Sequence, residues 1–241
     1  MATTVFDRIE KKYLITRSEK TQLLYEIKKY MHPDKYHKSE ILNLYFDNEN
    51  YDFINQSIDW VSFKEKLRAR SYNGYDRVFL EIKTKLERPD NNIGYKRRVM
   101  ITNSDFDKLL KKQQNTLELA NQSLEKNNDN QIAKEIDYMI QYFDLRPKVF
   151  VTYKRESYKD EANLRVTFDE KLKYRDTNLS LKKSKDDKIY FNDNRNIIME
   201  IKADESLPLW LVQQMSKLKI YPQSFSKIGK VYQRIRKEQN V

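Results

Sequence analysis

The sequence predicts an α+β protein: an antiparallel eight-stranded tunnel β-barrel with flanking helices. Three observations lead there. About eight segments alternate apolar and charged residues with the two-residue period of a strand, and eight antiparallel strands suffice to close a barrel. Amphipathic helical patterns lie between these segments and need an apolar surface to cover. Covering helices put the apolar strand faces outward, which leaves the charged faces to line the interior.

Each element follows from its own pattern. Phe6 to Tyr13 sets Phe6, Arg8, Glu10 and Lys12 against Asp7, Ile9, Lys11 and Tyr13, a strand with a charged face. Ser18 opens a helix to about Met31, with Leu23, Leu24 and Ile27 at helical spacing and Pro33 just past its end. His32 and His37 fall in the connection around Pro33. Ile41 to Asp47 places Leu42, Leu44 and Phe46 on one face and Asn43, Tyr45 and Asp47 on the other. Residues 48–59 read as a turn or short helix. A long extended stretch from about Trp60 to Ser71 leads through Asn73-Gly74, a hairpin turn signal, into a strand from Arg77 to Lys85. Arg88 to Asn92 breaks the chain, and Tyr95 to Ile101 forms a strand bearing Lys96, Arg97 and Arg98.

Ser104 reads as a helix N-cap ahead of Phe106, Leu109 and Leu110. Residues 113–130, rich in Asn, Gln and Lys, read as an insertion within one domain spanning 1–241, part-helical at Leu117, Leu119 and Leu124. Ile132, Ile136, Met139, Ile140 and Phe143 give an amphipathic helix that ends before Pro147. Lys148 to Arg155 and Asn163 to Asp169 read as paired strands. A polar excursion over 178–194 precedes a strand from Asn196 to Lys202. Pro208 begins a helix carrying Leu209, Leu211, Val212, Met215 and Leu218, and the chain closes on Ser224-Phe225-Ser226-Lys227 and a basic tail.

Composition narrows the chemistry. With no cysteine there is no disulfide, thiolate metal site or thiol nucleophile, and two loop histidines do not make a histidine zinc site or a catalytic triad. No stretch sustains the roughly 18 apolar residues of a spanning helix, and the N-terminus has no apolar signal region, so the expectation is a soluble, cytoplasmic protein. Hydrophobic residues make up only 39% and the net charge is +11, so the excess cations must be solvated or matched to a polyanion. Nucleic acid, a membrane surface and a polyphosphorylated small molecule all satisfy that balance. Arginine is the more informative cation, because its planar fork is useful where phosphate must be held.

The stretch Lys64 to Arg70 concentrates the argument. Lys64, Lys66, Arg68 and Arg70 share one face of an extended strand, and Lys83, Lys85 and Glu81 share a face of the next. An interior lined by these, with Lys12, Arg98, Arg155, Arg165 and Lys202, would repel itself if it stayed empty of anions. Glu10, Asp47, Glu81, Asp169 and Glu200 compensate in part. A phosphate chain accepts bidentate arginine contacts, and a divalent cation lets the carboxylates share the same space.

The ordered motifs R-x-E-x-K (Arg8, Glu10, Lys12), L-Y-F-D (Leu44 to Asp47), L-R-A-R (Leu67 to Arg70), F-L-E-I-K-T-K (Phe79 to Lys85), K-R-R (Lys96 to Arg98), P-K-V-F-V-T-Y-K-R (Pro147 to Arg155), L-R-V-T-F-D (Leu164 to Asp169), M-E-I-K (Met199 to Lys202) and S-F-S-K (Ser224 to Lys227) run through nearly the whole chain. This series resembles the polyphosphate polymerase domain of the vacuolar transporter chaperone family, within the triphosphate tunnel metalloenzymes. The resemblance implies transfer of the terminal phosphoryl group of ATP to a growing inorganic polyphosphate chain, assisted by Mn²⁺ or Mg²⁺. It implies that Lys12, Arg68, Arg70, Arg155, Arg165 and Lys227 act at the catalytic centre and that Lys83, Arg98, Tyr153, Lys202, Ser224 and Ser226 bind substrate. It further implies Glu200 as a metal ligand, with Glu10 and Glu81 in support. Lys64 and Lys66 are assigned to the tunnel entrance.

One departure stands out. Hydrolytic members of that superfamily carry E-x-E-x-K on the first strand, and Arg8 replaces the first glutamate here, which suits polymerisation over hydrolysis. Two other readings stay open, a tunnel triphosphatase acting on tripolyphosphate or nucleoside triphosphates and a non-catalytic polyphosphate-binding module. ATP and polyphosphate are the expected partners and nucleic acid is not; a membrane-protein partner and the oligomeric state stay open.

Overall fold

The computed structural model describes residues 9–59, 61–74, 76–87, 92–122, 130–191, 195–204 and 206–239, without the side chains of 87 and 92. Nine strands and seven helices follow in chain order: β1 (Ile9–Ile15), α1 (Arg17–Tyr30), β2 (His32–Asp47), α2 (Asp52–Asn55), β3 (Phe63–Tyr72), β4 (Val78–Glu87), β5 (Asn92–Ile101), α3 (Asn103–Leu110), α4 (Thr116–Gln122), α5 (Asn130–Tyr142), β6 (Arg146–Lys159), β7 (Arg165–Arg175), β8 (Lys188–Ile189), β9 (Ile197–Ala203), α6 (Leu209–Lys217) and α7 (Lys227–Gln239). β1 runs two residues past the expected end at Tyr13, and residues 6–8 of the expected strand, Arg8 included, lie outside the described residues.

Eight strands form one antiparallel path, β1-β9-β7-β6-β2-β3-β4-β5, and β8 pairs with β7 at its side. β1 and β5 end the path and do not pair among the described residues, so the sheet is curled without being hydrogen-bonded shut. The curl is large enough that Glu10 of β1 interacts electrostatically with Lys83 of β4, although β4 lies near the opposite end of the path, next to β5.

The outward apolar faces carry helices as the alternation predicts. Leu67, Ala69, Leu80, Ile82, Val99 and Ile101 of β3, β4 and β5 are buried beneath Phe106 of α3, Leu119 of α4, and Ala133, Ile136 and Met139 of α5. Tyr13, Ile15, Val166, Phe168, Met199 and Ile201 are buried with Leu23 and Ile27 of α1 and Leu211 and Met215 of α6. Full burial of each such aliphatic side chain is worth about 1.5–3 kcal/mol, which anchors the strands whose opposite faces carry charge. α1 is fixed at its start by a capping box: Glu19 N donates to Thr16 Oγ1 at 3.2 Å and Thr16 N donates to Glu19 Oε2 at 2.7 Å.

Three expectations are corrected. The segment around Pro33 is the first half of the 16-residue β2, with His32 and His37 in the strand, because its backbone pairs with β6 from Lys159 onward. The N-cap of α3 is Thr102, whose Oγ1 accepts from Asp105 N at 3.1 Å; Ser104 is already inside the helix. The basic tail is α7, and it lies on the inner face of the sheet. Ile228, Val231, Tyr232 and Ile235 pack against Ile41, Tyr45, Val149, Val151, Leu172, Tyr174 and Ile198, all inward-facing positions. The interior is therefore polar in one part and filled by a helix in the other. α4 orders the start of the predicted insertion, and residues 123–129 lie outside the described residues.

Candidate active site

Strand register assembles the polar part of the interior into three ion clusters. On β3 and β4, where Arg68 lies opposite Glu81, Arg68 donates from Nε and Nη2 to Glu81 Oε2 at 2.9 and 2.7 Å. Arg70 Nε donates to Asn43 Oδ1 at 2.8 Å, and Asn43 Nδ2 in turn donates to the Val151 carbonyl at 3.1 Å. Burial pushes the Glu81 carboxyl up, but Arg68, Arg70 and Lys96 outweigh it and hold it down at about 2. Glu81 is thus a fully buried anion that fixes the Arg68 fork.

On β6 and β7, Arg155 donates from Nε and Nη2 to the two oxygens of Asp169 at 2.6 and 2.8 Å. Lys227 Nζ, at the head of α7, is 2.7 Å from Asp169 Oδ2. The ring of Tyr153 lies beneath both cations, 5.4 Å from the Arg155 guanidinium and 4.9 Å from Lys227 Nζ. Burial alone would raise the Asp169 pKa; Arg155 and Lys227 lower it on balance.

On β1 and β9, Lys12 Nζ is 2.9 Å from Glu10 Oε1, and Lys202 Nζ sits between Glu10 Oε2 at 3.2 Å and Glu200 Oε1 at 3.1 Å. Burial and the neighbouring Glu200 both push Glu10 up, yet Lys12, Lys83 and Lys202 bring it to about 2. Glu200 is held well below the usual carboxylate range against its burial by Lys202, Lys12, Lys227 and Arg155. Arg155 and Lys227 belong to the second cluster, so the two clusters adjoin.

A family model describing the VTC domain matches residues 7–235. The chain belongs to the VTC domain family. VTC is the polyphosphate polymerase domain of the tunnel-enzyme superfamily. No curated protein matches this VTC chain in sequence. Among solved structures it is similar to a proposed adenylate cyclase from Bacillus halodurans, at 12% identity and a TM-score of 0.52, over 92% of this chain and 95% of that one. It is also similar to a proposed adenylyl cyclase from Hippeastrum, reported to have a dominant triphosphatase activity, at 13% identity and a TM-score of 0.50, over 91% and 92% of the two chains. These likenesses show the tunnel-barrel fold.

Of the residues singled out by the sequence, Lys12, Arg68, Arg70, Arg155, Lys227, Tyr153, Lys202, Glu10, Glu81 and Glu200 fall in the three clusters of this VTC domain. Lys83 and Lys66 face each other in register on the same inner wall. Others stand apart. Arg165 is at the rim, where Nε donates to Ser157 Oγ at 3.2 Å and Nη2 is 3.0 Å from Asp34. Arg98 is exposed and lies over the Phe79 ring at 4.6 Å. Ser226 Oγ accepts from Gly229 N at 3.3 Å, capping the first turn of α7. Ser224 is exposed and lines a cavity of about 550 Å³ with Tyr190, Phe191 and Arg234.

The carboxylates also separate. Glu10 and Glu200 adjoin through the Lys202 ammonium, whereas Glu81 is engaged by Arg68, and no three His, Asp or Glu side chains converge among the described residues. Glu81 Oε1 is buried without a hydrogen-bond partner. Asn43 was not singled out, although it lies at an inward position of the quoted strand pattern, and Asp169, expected among the compensating carboxylates, proves to be the partner of Arg155 and Lys227.

Proposed function

We propose that this VTC domain transfers the terminal phosphoryl group of ATP to the end of a growing inorganic polyphosphate chain. The observation that carries the reading is the convergence on one interior of Arg68 and Arg155, each already oriented by a buried carboxylate, with Arg70, Lys12 and Lys227 beside them. Phosphoryl transfer depends on in-line alignment and on neutralising charge on the transferred group. Pre-oriented forks supply both without reorganisation during the reaction. The attacking polyphosphate oxygen is already anionic, so the absence of a suitable histidine among these groups removes nothing the reaction requires.

Glu10 and Glu200 fit a hard divalent cation, since two ionised carboxylates already hold the Lys202 ammonium between them and oxygen donors are what Mg²⁺ and Mn²⁺ take. Such an ion supplies charge neutralisation at the phosphate oxygens. The chain's own cations grip and align: Arg68 and Arg70 from one wall, Arg155 and Lys227 from the other, Lys12 from the β1 edge. Arg165, at the rim, guides incoming phosphate. Nucleic acid would need an exposed basic surface with aromatic platforms, and these arginines face inward. No described helix is long and apolar enough to cross a membrane.

Hydrolysis is the second reading, favoured by the paired Glu10 and Glu200 and by the triphosphatase activity of the Hippeastrum protein. One assay separates the two: purified protein with ATP and Mn²⁺ or Mg²⁺, followed by measurement of long-chain polyphosphate, ADP and free phosphate. Polymer with stoichiometric ADP is expected. Phosphate release without polymer overturns polymerisation, and Arg70→Ala with an unchanged rate overturns the interior site.

A further inference from the structure

The pairing of β2 with β6 is interrupted at the rim. Pro33 lies opposite Tyr158 and Lys38 opposite Glu156, so the segment from Asp34 to His37 bulges out of β2 where β6 has only Ser157. His37 Nδ1, 3.0 Å from the Ser157 carbonyl oxygen, ties the bulge back to β6. Ser157 and Arg165 lie toward the ends of β6 and β7 away from Val149, Val151, Leu172 and Tyr174, against which α7 packs, so this is the end of the interior that the helix leaves open. Bulges at barrel rims re-aim side chains. Here the carboxylate of Asp34 meets β7: its Oδ2 is 3.0 Å from Arg165 Nη2 and accepts from Ser157 Oγ at 3.3 Å, while Ser157 Oγ accepts from Arg165 Nε at 3.2 Å. Asp34 Oδ1 accepts from Lys35 N at 2.7 Å, which fixes the carboxylate on the bulge.

Arg165 needs such a partner. Register sets it opposite Lys159 of β6 and Lys202 of β9, both like charges, and among the described residues Asp34 is the carboxylate within ion-pair distance of it. The hold repeats what Glu81 does for Arg68 and Asp169 for Arg155, since in all three arginines the edge formed by Nε and Nη2 is engaged. One carboxylate on a neighbouring strand serves each of those two. For Arg165 a hydroxyl and a carboxylate from two strands share the task, and its Nη1 has no hydrogen-bond partner among the described residues.

We propose that Asp34, presented by the β2 bulge, is a positioning residue that together with Ser157 holds Arg165 in place at the rim for the phosphates of the incoming nucleotide. The inference rests on the phosphate-transfer reading of the interior and adds to it an acidic residue outside the three clusters. A carboxylate at the rim repels a polyanion, so what Asp34 contributes is order: the Arg165 side chain is 46% exposed, and without the pair its long stem would have to be immobilised by binding itself. Arg165 stands apart from the clusters that surround the transferred group. Its grip is the same in the ground state and the transition state, and losing such a grip raises KM while leaving kcat.

Steady-state ADP release from ATP with Mn²⁺ by the full chain tests the assignment, because ADP is a product of transfer and of hydrolysis alike. Asp34→Asn keeps an acceptor for Lys35 N, and with it the bulge, but removes the charge that holds Arg165. It should raise the KM for ATP about fivefold with kcat within about twofold of wild type, the loss of one charge-assisted contact that pre-orders the guanidinium. In an Arg165→Ala background the same change should add nothing, because Asp34 acts through that side chain. A KM that is unchanged or lowered, a loss confined to kcat, or a rise that persists without Arg165 overturns the proposal. Ser157→Ala removes the other half of the hold and leaves the carbonyl that anchors His37; should Asp34→Asn fail to fold, a Ser157→Ala effect that simply adds to that of Arg165→Ala overturns it instead. If the wild type releases no ADP, the phosphate-transfer reading falls and takes the inference with it, whereas turnover without coupling between Asp34 and Arg165 overturns the inference alone.

Discussion

Two walls of the same interior differ in how their charge is held. The arginine wall is neutralised from within, since Arg68 and Arg155 are clamped by Glu81 and Asp169, both fully buried. The lysine wall is compensated less: Lys66 and Lys83 lie opposite each other, and among the described residues neither has a carboxylate within ion-pair distance, Glu10 acting on Lys83 only from further off. The first arrangement builds a rigid fork before substrate arrives; the second stores unfavourable charge that a polyanion relieves. On the β3–β4 pair, the carboxylate-held fork and the opposed like charges thus belong to different side chains.

The comparison breaks most readily at Asp169. Asp169→Ala leaves Arg155 and Lys227 without the carboxylate they both contact, and should cost about 3–5 kcal/mol in denaturant unfolding, as removal of one partner of a buried ion pair does. A variant as stable as the wild type would show that these cations are not held by the carboxylate. Acid should unfold the arginine wall next. Glu81 has a folded pKa lowered from 4.5 to about 2, so the stability it supplies is full above about pH 4.5 and is lost as pH falls toward 2. Glu81→Gln should flatten that part of the stability–pH curve, measured by thermal melts.

The lysine wall answers to base. Long-chain polyphosphate affinity should fall as pH rises from about 7 to 9, because free Lys66 is progressively neutral above about 7 and binding must then supply its proton. Titration across that range checks the sign, and a rise in affinity would contradict it. The smallest effect belongs to the outside. Lys11, exposed and on the opposite face of β1 from Lys12, should be replaceable by Ala with no change in phosphate affinity.

Parity carried most of what the sequence revealed. The period of two placed Arg68, Arg70, Glu81, Glu200 and Lys12 inward and Leu67, Leu80 and Ile201 outward, because a strand buried under helices on one side leaves no freedom in register. Other features depend on contacts between strands distant in sequence. Asp169 reads as one more charge until β6 brings Arg155 opposite it, and the separation of Glu81 from Glu10 and Glu200 follows from the curl of the sheet. α7 was hidden by its own composition. Lys227, Lys230, Arg234, Arg236 and Lys237 dominate a segment whose Ile228, Val231, Tyr232 and Ile235 keep helical spacing, and a helix inside the barrel runs against the outward rule that places the others.

The position of α7 also changes what this basic segment is. A helix of 13 residues that begins at Lys227, paired with Asp169, and continues into the apolar half of the interior is a core element. Its removal is not trimming; it empties the space between β2, β6, β7 and β9 and unseats a cation from Asp169 in the same cut. Any polyanion held by Lys227 would, by the same connection, hold α7 in place.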